Sequence, residues 1–289
     1  MSETVSTFAF SLDLSPSVEV YVQKDVNYLR AFVRAGRFTQ TDAAILHAIE
    51  TAHYVNRANV EVYLDRQKEF NITEKQNYKH NLAKLIDNGF VARILLSSDT
   101  KLVPPVYTIT PSCASLLPTI FGKKRGYFTG LPVQPAQDIL MCEASFQAYT
   151  SLINREDVVG TPELFTSITA EPFAIRTAFT ASISGYRTYW LCARRSQSVM
   201  GRLRLDLNNL VLHINALHEP STVVLLCEDL AHMESVSRAL ATAVPAAAPL
   251  LLYTYDYAMY DFSGSLPLYR VDTDGASAVV STAELLPPQ

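Results

Sequence analysis

Polar side chains recur between Thr73 and Lys84 at the spacing of a helix that could read DNA. Asparagine and glutamine can pair with adenine through two hydrogen bonds, and lysine can contact guanine or phosphate. At about 100° per residue, Asn77, His80 and Asn81 share a face with Lys84, opposite the leucines of the same segment. A solvated helix face is the alternative interpretation. We predict that the helix enters the major groove and that its DNA-binding residues are Thr73, Lys75, Gln76, Asn77, Lys79, His80, Asn81 and Lys84.

Basic residues beyond this helix extend the candidate DNA surface. Arg93 lies on the next predicted strand and Lys101 at the tip of the following loop, where both would reach backbone phosphates. The triplet Lys123, Lys124 and Arg125 can add to this surface, since each phosphate contact releases counterions, or it can be a soluble basic linker. Both interpretations of the triplet stay open.

The ends of the helix are marked in the sequence, and so are the elements around it. Thr73 is a natural N-cap with Gln76 three residues on, and Gly89 stands where a glycine ends a helix. Two helices are expected earlier in the chain: one begins at Thr39 with Asp42 in a capping-box pattern, and the other covers NRANVEVYLDRQKEF. The strands FVARILL and VYTIT follow. Three helices and then a hairpin are the element order of a winged helix-turn-helix.

The segment LAKLIDNGFVAR resembles the winged-helix signature, in which the recognition helix turns into the wing through Leu-x-x-Leu-x-x-x-Gly-Phe/Leu-Val. The resemblance covers roughly residues 39–118. It implies sequence-specific binding of double-stranded DNA. We also expect a homodimer, because one helix in one groove gives limited specificity and paired half-sites remedy that.

The second half of the chain has the pattern of an α/β domain. FAIRTAFTAS and YRTYWLCARR are predicted strands, and TVVLLCEDL is a buried strand between two helices. These elements predict a mixed sheet with helices on its faces. The predicted fold class is therefore α+β, with an N-terminal extension over 1–37, a winged helix over 38–120, a linker over 121–135 and an α/β domain over 136–289.

Acidic residues are the main catalytic candidates in the second half. Glu228 and Asp229 close the buried strand, and Asp256 and Asp261 lie on the next one, but no phosphate-binding loop of the form G-x-x-x-x-G-K-[ST] or G-x-G-x-x-G occurs. Asp229 also suits the N-cap of the following helix. We therefore predict no metal, no other cofactor and no enzymatic activity. The alternative is a metal-dependent nuclease that uses Glu171 together with Glu228, Asp229 or Asp256.

The element order of the whole chain resembles the replication-relaxation proteins of plasmids and conjugative elements. Their second domain is similar to the PD-(D/E)-x-K nuclease fold, and Glu171-Pro172 would stand near the first acid of that motif. Leu191-Cys192-Ala193 stands where D/E-x-K should be, and no lysine occurs after Lys124. Because such a site needs charges to hold Mg²⁺ and stabilise an oxyanion, the resemblance implies a catalytically empty domain for dimerisation or partner binding.

Charge and cysteine content indicate the kind of DNA binding and the cellular location that we expect. The net charge is −4, yet residues 1–130 carry 15 basic against 12 acidic side chains, and residues 131–289 carry 9 against 16. This asymmetry is a reason to assign different partners to the two halves, and the neutral-to-acidic overall charge favours a specific DNA binder over an indiscriminate one. Four dispersed cysteines predict free thiols in a reducing cytoplasm, and no apolar run approaches the roughly 18 residues of a membrane span.

The sequence thus predicts a cytoplasmic, sequence-specific DNA-binding protein. Its expected role is that of a transcriptional regulator or of an accessory factor in plasmid replication or transfer. The expected partners are double-stranded DNA, a second copy of the chain, and replication or conjugation proteins, with no membrane. A ligand-sensing repressor and a protein-only adaptor remain as alternatives.

Overall fold

The fold is taken from a computed structural model that describes residues 14–67, 78–97, 103–122, 134–165, 167–168, 175–193, 197–217, 219–255, 259, 265–273 and 278–285. The chain forms two compact units. One unit is Leu12–Phe146, and Gln147–Gln289 belongs to the other. In the described part of the chain, no helix is both long enough and apolar enough to cross a membrane.

The described part of the first unit combines five helices with a small antiparallel sheet, and the first part of a sixth helix joins them. The helices are α1 (Val26–Arg34), α2 (Gln40–Ala52), α3 (Arg57–Arg66), α4 (Tyr78–Asp87) and α5 (Pro111–Phe121). The strands are β1 (Ser15–Val20), β2 (Val55–Asn56), β3 (Val91–Ser97) and β4 (Val106–Ile109). Their order in the sheet is β1-β3-β4-β2, and every neighbouring pair is antiparallel.

Helix α2 is the centre of the first unit. Its apolar residues Ala44, Ile45, Leu46, Ala48 and Ile49 are all fully buried, because other elements surround it on several sides. It begins with the predicted capping box, in which the Asp42 amide donates to the Thr39 hydroxyl and the Thr39 amide donates to the Asp42 carboxylate. The predicted start of this helix is therefore confirmed.

The N-terminal region takes part in this fold. Strand β1 pairs antiparallel with β3 along its length, from Ser15 opposite Ser97 to Val20 opposite Arg93. Asp25 caps α1 by accepting a hydrogen bond from the Tyr28 amide at 2.8 Å. The described residues before position 38 are thus an integral part of the first unit and not an appendage to it.

Helix α6 (Ala136–Leu152) contains the boundary between the two units. Its first part belongs to the first unit. There the buried Glu143 carboxylate accepts a hydrogen bond from the Asn56 amide, and the Phe146 ring lies 5.1 Å from that of Tyr63. The sequence placed the whole helix in the second domain, because its apolar periodicity does not show which neighbour it covers.

The second unit is built on a seven-stranded mixed sheet. The described strands of the whole unit are β5 (Val158–Leu164), β6 (Ser167–Ile168), β7 (Ile175–Arg176), β8 (Phe179–Ile183), β9 (Tyr186–Cys192), β10 (Ser221–Cys227), β11 (Leu251–Tyr255), β12 (Leu268–Thr273) and β13 (Ala278–Ala283). The sheet order is β13-β12-β11-β10-β9-β8-β5, while β6 and β7 form a separate pair. Strands β9, β10 and β11 are parallel and the other described pairings are antiparallel, so the predicted α+β class with a mixed sheet is confirmed.

Two helices and one 3₁₀ helix pack on the parallel part of this sheet. They are α7 (Gln197–Leu217), α8 (Leu230–Ala243) and the 3₁₀ helix Pro245–Leu250. Trp190 is fully buried and stacks on Phe179 with the ring centroids 4.8 Å apart. The expected sequence of hairpin, helix, strand, helix and strand is therefore present as β8-β9, α7, β10, α8 and β11.

Candidate nucleic-acid interface

Helix α4, the predicted recognition helix, packs beside α2. It buries Leu82 and Leu85, the leucines that the sequence placed opposite the polar face, and also Ile86. It ends as predicted, because the Phe90 amide donates to the Leu85 carbonyl at 2.9 Å and Gly89 takes a left-handed φ of 77°. A helix end closed by this hydrogen bond and by a glycine at positive φ fixes the residue at which strand β3 begins.

The end of α4 also lies close to the chain that joins β1 to α1. A Cβ atom at Gly89 would come within 2.6 Å of the Val22 carbonyl oxygen and within 2.8 Å of the Lys24 side chain. The Tyr28 hydroxyl donates a hydrogen bond to the Asn88 side chain at 2.9 Å. Helix α4 is thus held at its C-terminal end by elements of the N-terminal region.

The buried carboxylate of Asp42 holds the other part of α4. The Asn81 amide donates to its Oδ1 atom at 2.9 Å, and the Lys84 ammonium forms a short ion pair with its Oδ2 atom. The Thr39 amide and hydroxyl donate to the same Oδ2 atom at 2.7 and 2.8 Å. One carboxylate on α2 therefore closes its own helix cap and binds two side chains of α4.

The charge of Asp42 is maintained despite its burial. Burial by itself raises the pKa of this carboxyl, because it disfavours the charged form. The hydrogen bonds from Lys84, Thr39 and Asn81 favour the charged form more strongly, so the net pKa of Asp42 lies below its ordinary value. The aspartate is therefore an anion at neutral pH, and the Lys84 ammonium is its counter-ion.

The polar stripe predicted on α4 thus divides into two groups. Asn81 and Lys84 are half-buried and turned to Asp42, and Lys84 keeps 24% of its side chain exposed. Lys79 and His80 are exposed on the surface. The remaining predicted DNA contacts lie outside the described residues, apart from Arg93; they are Thr73, Lys75, Gln76, Asn77, Lys101, Lys123, Lys124 and Arg125.

Arg93, the predicted phosphate contact on β3, has a partner within the first unit. Its guanidinium donates two short hydrogen bonds to the carboxylate of Glu19 on β1. These hydrogen bonds and the charge of Glu19 raise the pKa of Arg93. About a third of each side chain is exposed, at 35% for Arg93 and 29% for Glu19. A phosphate would have to compete with Glu19 for this guanidinium.

Sequence reasoning did not find the roles of Asp42 and Glu19 at this surface. Asp42 gave a signal, but only as a member of a helix cap, since Thr39-x-x-Asp42 is a local pattern. Its contacts with α4 join residues 39 and 42 positions apart, and Glu19 meets Arg93 across 74 positions. No periodicity in the sequence reports contacts at such separations.

The acidic residues at the end of β10 have structural partners. Asp229 caps α8 by accepting a hydrogen bond from the His232 amide at 2.7 Å, which confirms the cap predicted from the sequence. The main-chain amide of Glu228 donates to the Nδ1 atom of His232 at 3.1 Å, a contact of the backbone of Glu228 and not of its carboxylate. Among the described residues, no group of three His, Cys, Asp or Glu side chains is placed to hold a metal ion. Glu171, Asp256 and Asp261 lie outside the described ranges.

The segment predicted to replace the nuclease motif lies at the end of β9. Leu191 and Ala193 are buried and Cys192 is half-buried, so the side chains at this point of the sheet pack against apolar neighbours. Ala193 also donates its amide to the Leu226 carbonyl at 2.9 Å, which continues the pairing with β10.

A cavity of about 560 Å³ lies in the second unit. Asn154, Arg155, Glu156 and Asp157 line one side of it, and Glu284 is among the residues that complete it. Arg155 donates two hydrogen bonds to Asp157, at 2.8 and 2.9 Å. The volume is in the range of small-molecule sites, and the lining is rich in charged groups.

Comparison of the chain with protein-family models, with curated proteins and with solved structures finds no match in any of the three.

Proposed function

We propose that the first unit is a winged-helix module that binds double-stranded DNA, with α4 in the major groove and the β3–β4 hairpin as the wing. The second unit serves dimerisation or contact with a partner and has no catalytic role. In the cell, such a protein would act as a sequence-specific transcriptional regulator or as an accessory factor in plasmid replication or transfer.

The strand order of the first unit carries this proposal. Helices α2, α3 and α4 are followed by β3 and β4, and β4 lies between β3 and the short strand β2 that separates α2 from α3. A three-helix core with a hairpin bound to such a strand leaves the outer side of α4 accessible. A helix presented in this way is the usual means of reading the major groove.

The contacts of α4 indicate two different roles for its polar side chains. Lys79 and His80 are exposed and are the described residues that we assign to the groove. Asn81 and Lys84 bind Asp42, so we assign them to holding α4 at its angle on α2. Correct placement of a reading helix matters as much as its contacts, because phosphate and base contacts both depend on register.

Gel-shift titration of the full chain tests the proposal, with the DNA fragments selected from a random or genomic pool. We expect His80→Ala to weaken binding to the selected sequence by about 10-fold, while its affinity for random DNA stays nearly unchanged. Lys79→Ala should weaken both and flatten the salt dependence by about one unit of slope. Arg238→Ala is the matched control, since Arg238 is an exposed cation on α8.

Two results of the same experiment would contradict the proposal. If the wild-type chain enriches no fragment and does not bind random DNA even at low salt, the first unit is not a DNA-binding module. If it enriches fragments but His80→Ala and Lys79→Ala behave like Arg238→Ala, another surface makes the contacts.

A ligand-sensing repressor is the second candidate, and the cavity of the second unit favours it. A small molecule that binds only the folded protein raises its unfolding temperature, by mass action. A thermal-shift screen with charged metabolites tests this function, and Arg155→Ala, which removes the ion pair with Asp157, is the variant that should abolish any shift. A shift that survives this substitution would place the ligand elsewhere.

A further inference from the structure

An exposed stripe runs along α7 in the second unit. Leu205 is 46% exposed and Leu212 is 70% exposed. They are seven residues apart, which is about two helical turns, so they lie on the same side of the helix. Gly201, Asn208 and Ala216 are exposed on that side as well. We call these five residues the α7 stripe.

The stripe is additional to the face that joins α7 to its own unit. Leu203, Leu207, Leu210 and Ile214 are buried in the core between α7, α8 and the sheet. A helix that is already packed needs no second apolar side for its own stability, and exposed apolar side chains in a row mark a contact with another surface.

The order of residues in the stripe is the same from either end. When the half-buried Asn209 beside the stripe is included, a small residue, a leucine, two asparagines, a leucine and a small residue follow one another from Gly201 to Ala216, and the midpoint lies between Asn208 and Asn209. A twofold interface requires a surface that is complementary to itself. We propose that the α7 stripe is the contact between two copies of this chain, with the two helices antiparallel.

In this arrangement each side chain meets one of matching size. Leu205 of one copy faces Leu212 of the other, and Gly201 faces Ala216. Glycine is a poor helix former, and a Cβ atom at Gly201 would meet nothing within 4 Å in its own chain. Packing inside the chain therefore does not require this glycine, whereas close approach of a second helix does.

Charge supports the antiparallel direction. Arg204 is exposed in the first half of α7, and Glu219 is exposed just after its end. Side chains on a helix lean toward its N-terminus, so Arg204 of one copy leans toward the end of the other helix where Glu219 lies. A parallel pair would place Arg204 beside Arg204 and Glu219 beside Glu219.

The size of the stripe sets the strength of the dimer. Helix α7 has 21 residues, so it is about 31 Å long. Two helices of this length bury less than the roughly 1,600 Å² of a standard interface, and we expect a reversible dimer with a Kd in the micromolar range. The dimer forms without DNA. The role we give to the dimer, which is to place two DNA-binding modules on one duplex, rests on the proposed function.

Sedimentation equilibrium of the full chain without DNA is the first test. Leu212→Glu should raise the dimer Kd by about 100-fold, since every dimer contains the substitution twice. Gly201→Leu should raise it by about 10-fold without lowering the unfolding temperature, because leucine is the better helix former. The matched control is Leu230→Glu, at a leucine of α8 that is 45% exposed, and it should leave the Kd unchanged.

Disulfide cross-linking tests the direction of the helices. Asn208→Cys lies beside the proposed axis, so two copies should form a disulfide on mild oxidation. The exposed Asn215→Cys should not, because its two copies would be about 20 Å apart along the axis and a disulfide needs Cα atoms within about 7 Å. The wild-type chain, with its four free cysteines, gives the background.

Several results would overturn the proposal. The first is a wild-type chain that stays monomeric at about 100 µM, a concentration well above a micromolar Kd. The second is an equal loss of the dimer in Leu212→Glu and Leu230→Glu, and the third is cross-linking through Asn215→Cys. Failure of the proposed function looks different, since a chain that dimerises through the stripe but binds no DNA refutes DNA binding alone. A monomeric Leu212→Glu variant that still binds a single half-site supports both.

Discussion

Replacing Asp42 by alanine tests how α4 is held in place. The carboxylate accepts hydrogen bonds from the Thr39 amide and hydroxyl, from the Asn81 amide and from the Lys84 ammonium. The substitution removes the acceptor for all of them at once. It leaves the apolar face of α4 in contact with its neighbours, so the loss of these polar contacts can be measured on its own.

The cost follows from these contacts. Asp42→Ala leaves Thr39 as the N-cap and removes the reciprocal half of the capping box, which costs about 1 kcal/mol. Breaking a fully buried ion pair costs about 3–5 kcal/mol, but Lys84 is 24% exposed and can turn to water, so we expect about 1–2 kcal/mol for its share together with that of Asn81. The sum of about 2–3 kcal/mol should lower the unfolding temperature of the first unit by about 10 °C.

The same variant has a defined dependence on pH. Because the pKa of Asp42 is lowered in the folded protein, its contribution is present above the ordinary value of 3.8 and is lost as the pH falls through the folded value. The difference in unfolding free energy between wild type and Asp42→Ala should therefore stay constant from about pH 5 to pH 8 and shrink below about pH 4.

Urea unfolding with hydrogen exchange measured by mass spectrometry is the assay. Peptides from α2 and α4 should lose protection, while peptides around Trp190 in the second unit should not. Asp42→Asn is the control, since it keeps the size and an acceptor oxygen but not the charge, and it should cost about half as much. A loss below about 0.5 kcal/mol, or a difference that persists unchanged to pH 3, would refute the reasoning.

Three further predictions follow from single contacts. Gly89→Ala should cost at least about 2 kcal/mol in urea unfolding, because φ is positive and the Cβ would meet a backbone oxygen, whereas Gly122→Ala, with a similar φ and open space, should cost about 1 kcal/mol. Asp229→Ala should destabilise the protein by about 1 kcal/mol through loss of the α8 cap and Asp229→Asn by much less, whereas a metal site would lose binding in both. Glu19→Gln should release Arg93 from its ion pair and so raise the affinity for all DNA sequences. The salt dependence of binding should become steeper by about one unit of slope; an unchanged slope would show that Arg93 does not contact DNA.

Local patterns were predicted well because they depend on residues four or five positions apart. The inner face of α4, its end at Gly89, the cap of α2 at Thr39 and the cap of α8 at Asp229 were all legible in the sequence. Hydrogen bonds inside a single turn and apolar side chains on a single face determine each of these features. The mixed sheet of the second unit was predicted on other grounds, from the order in which strands and helices alternate along the chain.

The partners of polar side chains were decided by the tertiary structure. An amphipathic pattern divides a helix into an apolar and a polar side, but it does not show what lies beside the polar one. Asn81 and Lys84 were assigned to DNA on that pattern, and the fold brings both to a carboxylate about 40 positions earlier in the chain. Arg93 meets Glu19 because β1 returns to pair with β3.

Composition and periodicity alone determined that this chain would form helices with defined ends, because those ends arise from interactions between near neighbours. The order of strands and helices indicated a mixed sheet, but the pairings within it join remote residues. Only the folded chain decided which charged groups neutralise one another and which remain available for a partner. A charge acts over a distance in space, and distances in space between remote residues exist only after the elements have packed.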